Sequence, residues 1–327
     1  MKKPLLWCAI AWSLGQWAMS NPAGAEGGTQ TKEILSDPVT IHQRYHFNTT
    51  AWPGEMQYVV LSDSEQPELL WITGMRLELV GPDGRTPVSG EFVRSSSLLI
   101  DKWFLSAKAH NRLFGKVTTP LPVQKDPRLL CVSQGQPRTM FPHGFAVPVL
   151  SHEPLLLEAA VVNQNHKEPV TLRFRWTVEF SRDQDLQQPL RPLFIRFVEA
   201  DPCNWTAPPI REVKRFNVTA QLALPFDTTV HYIRPYLQPF GESLELRDLT
   251  TGTTLFTSRS TLRPDQLGIA HIDTFSSEDG IPVYKDHDYE LVSTYDNPTA
   301  AAVPARASMR LYLLDKQFQH PTVVNGP

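Results

Sequence analysis

Prolines are spread through the whole sequence at short intervals. The 327-residue chain contains 29 of them, and a proline inside a helix removes a backbone hydrogen bond and clashes with the preceding turn. Their spacing therefore leaves little room for long helices. Between them lie short runs in which apolar and polar residues alternate, the pattern of strands that are buried on one face. We expect a chain built almost wholly of β-strands.

The clearest predicted strand runs from Val170 to Phe180. Every second side chain is apolar and falls on one face, namely Val170, Leu172, Phe174, Trp176, Val178 and Phe180. Further strands are predicted at Met75 to Val80, Leu244 to Leu249, Tyr289 to Tyr295 and Met309 to Leu314. Many short strands separated by turn residues favour antiparallel sandwiches or jelly rolls over a parallel α/β sheet.

A domain boundary is predicted between Val198 and Glu212, where the chain is polar, rich in proline and without strand periodicity. The expected fold class is all-β, with two tandem antiparallel β-sandwich (jelly-roll-like) domains. We predict an N-terminal sandwich over residues 26–200, a linker over 201–212, a C-terminal sandwich over 213–318 and a tail over 319–327.

The N-terminus has the features of a secretory signal peptide over residues 1–25. Lys2 and Lys3 precede an apolar stretch from Pro4 to Met19, and Ala23-Gly24-Ala25 offers a cleavage site. The mature chain is expected to be secreted or, in a Gram-negative bacterium, periplasmic. A first core helix is the alternative interpretation of this stretch.

Charge and hydropathy exclude two classes of partner for the mature chain. The net charge is -3, so there is no basic excess of the kind that nucleic-acid-binding proteins carry. Beyond the predicted signal, no apolar stretch is long enough to span a membrane. Neither nucleic acid nor a membrane is an expected partner.

Cysteine usage agrees with export. Cys8 lies in the predicted signal, which leaves Cys131 and Cys203 in the mature chain. A pair in an oxidising compartment can form a disulfide, and in the chain-entropy model that bridge would stabilise the fold by about 3–4.5 kcal/mol. Two unrelated buried thiols are the alternative. The chain has no Cys-x-x-Cys motif, so neither interpretation predicts a redox site.

The run from His231 to Leu246 contains Tyr236-Leu237-Gln238. It resembles the second domain of the peptidylglycine α-hydroxylating monooxygenase group, the copper type II, ascorbate-dependent monooxygenases, where a His-x-His pair occupies the positions of Tyr236 and Gln238. Residues two apart on a strand face the same side, so two imidazoles there can share one ion. A phenol and a carboxamide are poor ligands for soft copper.

The same resemblance covers most of the mature chain and is strongest after Arg211. Its segments are Trp71–Gly74, Glu91-Phe92, Phe141–Phe145 with Pro148, Arg211–Val213, Asn217–Thr219, Asp227–Ile233, Gly241–Gly252, Phe275–Gly280 and Asp286–Leu291. The resemblance implies two tandem sandwiches with a copper site expected on each.

The first copper site is altered as well. In the family, a histidine-bearing stretch follows a pair like Glu91-Phe92, but here Ser95 and Ser96 stand there, and hydroxyls rarely bind copper. Other imidazoles in this part of the chain show no His-x-His or His-x-x-x-His spacing: His110, His143, His152 and His166. His42 and His46 are four residues apart, which would face one ion on a helix, but their surroundings give no helix signal, and on a strand they would lie about 13 Å apart.

Two candidate copper ligands remain. Met309 matches the family's late methionine, and a thioether suits Cu(I); however, it also alternates with Leu311 and Leu313, as a core methionine would. His231 precedes Tyr236 by five residues, which places it on the opposite strand face unless a bulge intervenes. A structural histidine is the alternative for that residue.

Two functions of different classes are therefore open. The first is a non-catalytic binding or accessory protein without a cofactor, which holds a small-molecule or protein partner in the cleft between its domains. The second is a copper-dependent oxidoreductase or monooxygenase, or a copper-binding protein, with one reorganised site. Motifs of serine hydrolases, phosphate-binding loops and zinc helices are absent from the sequence.

Overall fold

The computed structural model describes residues 28–42, 54–100, 128–199, 206–207, 214–220, 222–264, 267–299 and 303–321. The strands up to the predicted boundary are β1 Gln30–Leu35, β2 Val39–Ile41, β3 Gly54–Val59, β4 Leu69–Val80, β5 Pro87–Val88, β6 Val93–Ile100, β7 Arg128–Ser133, β8 Arg138–Met140, β9 Phe145–Leu150, β10 Leu155–Val161, β11 Val170–Arg182 and β12 Arg191–Glu199. Two 3-10 turns lie among them, Gly90–Phe92 and Asp183–Asp185.

The second half of the chain is also built of strands. They are β13 Thr206–Ala207, β14 Lys214–Ala220, β15 Thr228–Leu237, β16 Gly241–Asp248, β17 Thr253–Leu262, β18 Ile269–Ile272, β19 Phe275–Val283, β20 Tyr289–Tyr295, β21 Val303–Pro304 and β22 Ala307–Leu314. The all-β prediction is confirmed.

The strands form two sandwiches that share one long sheet. That sheet has the order β1-β11-β4-β9-β12-β22-β15-β19, with β2, β5 and β8 paired beside this path. A four-stranded sheet, β3-β10-β6-β7, covers its first part, and a five-stranded sheet, β14-β20-β16-β17-β18, covers its second part. The strands β13 and β21 form a separate pair.

The first sandwich closes over an apolar core supplied by both of its sheets. Phe174 and Trp176 on β11 pack in one cluster with Leu98 on β6 and Leu157 on β10. The two aromatic rings stack with centroids 5.5 Å apart. Full burial of a side chain of this kind stabilises a fold by about 1.5–3 kcal/mol. The predicted strand from Val170 to Phe180 is confirmed, and β11 supplies its apolar face to this core.

The second sandwich has a separate core. Ile233 on β15 and Leu311 on β22 pack against Leu244 and Leu246 on β16 and Leu291 on β20. The strands β15 and β22 are buried on both faces along most of their length. One face meets the second core, and the other faces the first sandwich.

The long sheet passes from one sandwich to the other between β9 and β12. These two strands run parallel and pair over only two residues, Arg191 with Phe145 and Pro192 with Ala146. By contrast, β12 pairs with β22 along seven residues, from Leu193 to Glu199. By pairing, β12 thus belongs to the second sandwich although it precedes the predicted linker. Most of residues 201–212 lie outside the described residues, and the division of the chain there stays a prediction.

Strand β4 begins at Leu69 and not at Met75 as the sequence pattern predicts. Its first residues are buried on both faces, so the alternation that reveals a half-buried strand is missing there. The predicted signal over residues 1–25 lies outside the described residues. Within the described ranges, no helix has the length and hydropathy of a membrane span.

Candidate functional site

A polar cavity of about 170 Å³ lies between the two sandwiches. The four-stranded sheet contributes one wall, and β12, β15 and β22 contribute the other. Its lining residues are Arg94, Ser95, Ser97, Arg128, Cys131, Val132, Glu158, Phe197, Arg234, Tyr236, Arg306, Ala307, Ser308 and Arg310. Because both walls are needed to form it, the cavity exists only when the sandwiches are packed together.

The cavity is strongly cationic. Five arginines and one glutamate line it, although the chain as a whole carries a net charge of -3. Glu158 is engaged with Arg128, whose Nε lies 3.1 Å from its Oε1. Arg94, Arg234, Arg306 and Arg310 place four further guanidinium groups around a small volume, where the effective dielectric is lower than in water.

Arg234 on β15 is the most buried of these arginines, with 2% of its surface exposed. Its Nη2 donates to Ser133 Oγ on β7 at 2.6 Å, which links the two sandwiches. Its Nε is buried without a hydrogen-bond partner. Burial is the main cause that lowers the pKa of this guanidinium below its usual range, with smaller and opposing influences from Cys131 and Arg310. Among the described residues, no carboxylate forms a salt bridge with Arg234.

Arg310 on β22 lies beside Arg234, directly across the strand pair. It is 6% exposed, and its guanidinium carbon stands 4.6 Å from the centroid of the Phe197 ring. The hydroxyl of the neighbouring Tyr312 is buried without a hydrogen-bond partner, and burial raises its pKa above the usual range. Two buried cations thus face each other near an uncharged phenol.

Ser95 and Ser96, where the resemblance predicts a first copper site, lie on opposite faces of β6. Ser95 lines the cavity, whereas Ser96 is 1% exposed and belongs to the first core. Ser96 Oγ donates to the carbonyl oxygen of Glu158 at 2.6 Å and accepts from Trp176 Nε1 at 2.8 Å. Ser96 therefore has a structural role as the hydrogen-bond partner of a buried indole.

Replacing Ser96 with alanine is expected to lower the free energy of unfolding by about 1–3 kcal/mol, because a buried indole N–H and a carbonyl lose their partner. The matched change Ser95→Ala, on the cavity face of the same strand, should stay within about 0.5 kcal/mol. Urea denaturation of both variants measures the difference. Equal effects of the two changes would contradict this role for Ser96.

Tyr236 and Gln238, where the resemblance predicts a second copper site, are also separated. Tyr236 lines the cavity and pairs in register with Ser308 on β22. Gln238 follows the end of β15, is 1% exposed and does not line the cavity, and its Oε1 is buried without a hydrogen-bond partner. The structure thus brings Tyr236 and Ser95 to one cavity and leaves Gln238 and Ser96 outside it.

His231 lies in a bulge of β15. Val230 pairs with Leu313 and Tyr232 pairs with Tyr312, which leaves His231 as the extra residue. The bulge turns its ring towards the first sandwich, where it stacks on Phe145 with centroids 3.9 Å apart. His231 therefore does not take the opposite face to Tyr236, as uninterrupted alternation would require.

Both ring nitrogens of His231 are hydrogen-bonded. Nδ1 lies 3.0 Å from the carbonyl oxygen of Ser277, which can only accept, so Nδ1 carries the proton. Nε2 then accepts from the Thr229 hydroxyl at 2.7 Å. Burial lowers the pKa of the imidazole, which favours this neutral form. The ring is held as a structural histidine.

Met309 belongs to the second core. It is fully buried in the apolar cluster that contains Leu311, on the face of β22 opposite to Ser308 and Arg310. It pairs in register with Pro235, whereas His231 lies beside Tyr312. At about 3.3 Å per residue, Met309 and His231 are roughly 10–13 Å apart along the strand. The structure does not bring these two candidate ligands together.

Cys131 is buried at the wall of the cavity and is not bridged to any cysteine within the described residues. Its Sγ donates to Ser97 Oγ at 3.3 Å. Cys203 lies outside the described residues, so the bridge between the two cysteines stays a prediction.

Sequence reasoning missed the arginines of the cavity. The two-residue alternation that places Tyr236 on one face of β15 also places Arg234 there, and the same alternation pairs Ser308 with Arg310 on β22. That signal was available in the sequence. It did not show that the face is buried, because only the packing of the sandwiches covers it. Across the described ranges, no three His, Cys, Asp or Glu side chains are placed to hold a metal ion.

Known proteins show only weak similarity to this chain. No family model matches the chain, and no curated protein matches it. A chain of the PBCV-1 virus capsid is 12% identical and aligns over 94% of this chain and 100% of its own length, with a TM-score of 0.34. The structure of PNGF-II is 10% identical and aligns over 88% of this chain and 65% of its own length, with a TM-score of 0.35. Because both TM-scores are low, we base neither the fold nor the function of this chain on these matches.

Proposed function

We propose that this chain is an exported, non-catalytic binding or accessory protein that holds a ligand between its two β-sandwiches. One observation carries the proposal: the cavity is lined by both sandwiches and includes Ser95 and Tyr236, two of the positions where the copper-monooxygenase resemblance expects imidazoles. A cavity at a domain interface is a common place for a small-molecule site. The scaffold would thus keep its cleft and use it for binding.

The residues at the expected copper positions do not fit a copper ion. Both nitrogens of His231 are engaged in hydrogen bonds, and Met309 is enclosed in an apolar cluster on the other face of the sheet. A shared ion would need both side chains within about 2–2.5 Å of one point. The alternative of a copper oxidoreductase, or of a copper-binding protein with one reorganised site, would require other ligands.

Export is part of the proposal. Its support is the order of Lys2 and Lys3, the apolar stretch to Met19 and the small residues up to Ala25. We accordingly place the mature chain outside the cytoplasm, secreted or periplasmic, with a small molecule or a protein as its partner.

Copper loading tests the non-catalytic assignment. We expect the mature protein to retain well below one equivalent of copper after incubation with Cu(I) or Cu(II) and gel filtration. Met309 and His231 lie apart, and no group of three His, Cys, Asp or Glu side chains in the described ranges is placed to hold a metal ion. Metal analysis and ascorbate-dependent oxygen uptake are the measurements. Met309→Leu, which keeps the core filled, and Met75→Leu, at a fully buried methionine of the first core, should match the wild type.

Retention of stoichiometric copper that is lost in Met309→Leu but kept in Met75→Leu would contradict the proposal and favour the copper-binding alternative. Native mass spectrometry of the purified protein before copper loading tests the binding role. A small molecule that stays bound supports the binding role. The binding role is contradicted if no molecule is retained after purification without dialysis and no added small molecule raises the Tm.

A further inference from the structure

We infer that the ligand of the cavity is a small oxyanion, a molecule with a carboxylate or phosphate group, and that Arg234 and Arg310 are its main contacts. This inference rests on the proposed binding function and specifies the chemistry of the ligand.

The first step of the argument is the charge of Arg234. A guanidinium stays protonated in proteins, and a buried charge without a counter-ion costs several kcal/mol of stability. Arg234 is 2% exposed, its Nε has no hydrogen-bond partner, and within the described part of the chain no carboxylate pairs with it. An anion in the cavity would supply the missing partner.

Cys131 does not supply the missing anion in this arrangement. Its Sγ is engaged as the donor of a hydrogen bond to Ser97 Oγ at 3.3 Å. The hydroxyl of Tyr312 is also protonated, because burial raises its pKa. The phenols of Tyr232 and Tyr312 near Arg234 both have a pKa raised by burial, and its strand neighbour Arg310 is positively charged.

The second step is the shape of the cation cluster. Arg234 and Arg310 lie side by side on neighbouring strands, and Arg94, Arg128 and Arg306 line the same cavity. Planar guanidinium groups bind carboxylate and phosphate through paired N–H···O bonds. The hydroxyls of Ser95, Ser308 and Tyr236 can donate to further oxygens of the same group.

The third step is size. The cavity measures about 170 Å³, whereas pockets for drug-sized ligands measure about 300–1,000 Å³. A phosphate ion or a short carboxylic acid fits this volume, and a folded peptide segment does not. The cavity therefore has room for one phosphate or carboxylate group.

Thermal unfolding at constant ionic strength tests this inference. Inorganic phosphate and succinate, each at low millimolar concentration against a chloride reference, are the two probes. We expect at least one of them to raise the Tm of the wild type in a saturable way. The stronger of the two identifies the preferred head group. Low concentrations avoid the general stabilisation that phosphate gives through exclusion from protein surfaces.

Arg234→Met is expected to raise the dissociation constant of that anion by roughly thirtyfold or more, because a buried charged contact is removed. Without anion, the variant should unfold no earlier than the wild type, since it no longer buries an unpaired charge. Arg306→Ala, at another arginine of the cavity, should weaken anion binding severalfold. It is the second test variant if Arg234→Met does not fold. Arg196→Met is the matched control, because Arg196 is buried but bonds to the carbonyl oxygen of Leu222 and lies away from the cavity.

The inference is overturned if neither anion shifts the wild-type Tm, or if the shift survives unchanged in both cavity variants. If native mass spectrometry at the same time finds an uncharged molecule retained, the anion assignment fails while the binding function stands. If no anion response is seen and native mass spectrometry finds no retained molecule, the anion assignment and the proposed binding function both fail.

Discussion

Replacing Met309 with alanine is expected to lower the free energy of unfolding by about 2–5 kcal/mol, the usual cost of emptying a fully buried methionine site. Met309 is completely enclosed among the side chains of the second core, and its neighbours on both strands are held by sheet pairing. The core can therefore collapse only partly into the space. Urea or guanidinium denaturation measures the change.

Two matched variants separate packing from any role of the thioether. Met309→Leu keeps the volume and should cost less than about 1.5 kcal/mol. Met56→Ala removes a methionine that is 69% exposed on β3 and should stay within about 0.5 kcal/mol. A cost for Met309→Ala as small as that for Met56→Ala would refute the core assignment.

Replacing Gly280 with alanine is expected to lower the free energy of unfolding by about 2–5 kcal/mol. Gly280 has a φ of +74°, and this left-handed conformation costs an L-residue about 1–2 kcal/mol. An added Cβ would also lie 2.8 Å from Cε1 of His231 and 3.0 Å from the carbonyl oxygen of Val230. Such overpacking costs a further 1–3 kcal/mol or so.

Gly252→Ala isolates the backbone contribution. Gly252 has a φ of +70°, but nothing lies within 4 Å of its added Cβ, so only the conformational cost of about 1–2 kcal/mol remains. Combining Gly280→Ala with His231→Ala should recover part of the loss, because the ring that meets the new methyl group is removed. A double-mutant cycle measures this coupling, expected at about 0.5–3 kcal/mol. If the effects of the two substitutions are strictly additive, the close contact with His231 is not the cause of the destabilisation in Gly280→Ala.

The bulge at His231 illustrates where sequence reasoning reaches its limit. Counting residues in a strand assumes uninterrupted alternation, and one extra residue reverses the face of everything before it. On the partner strand, Gly280 supplies the room for the imidazole, but its contact with His231 spans two strands and is invisible to local periodicity. The face of His231 thus depended on pairing and not on spacing.

The cavity shows the same limit for a different reason. In β11 one face is apolar and the other polar, so alternation identifies the core side directly. In β15 and β22 both faces are buried, and the polar face carries Arg234 and Arg310. From the sequence these arginines resemble residues of a solvated strand face. Their burial follows only from the presence of the other sandwich.

The amino-acid order determined the strands, because apolar and polar residues alternate along them and proline and glycine separate them. Local backbone geometry is therefore enough to predict an all-β chain with two apolar cores. The tertiary structure alone decided that Ser95 on β6, Arg128 on β7 and Arg234 on β15 share one cavity. These residues are distant along the chain. Their meeting depends on sheet order, register and the packing of two sandwiches, which are long-range properties that no short window of sequence contains.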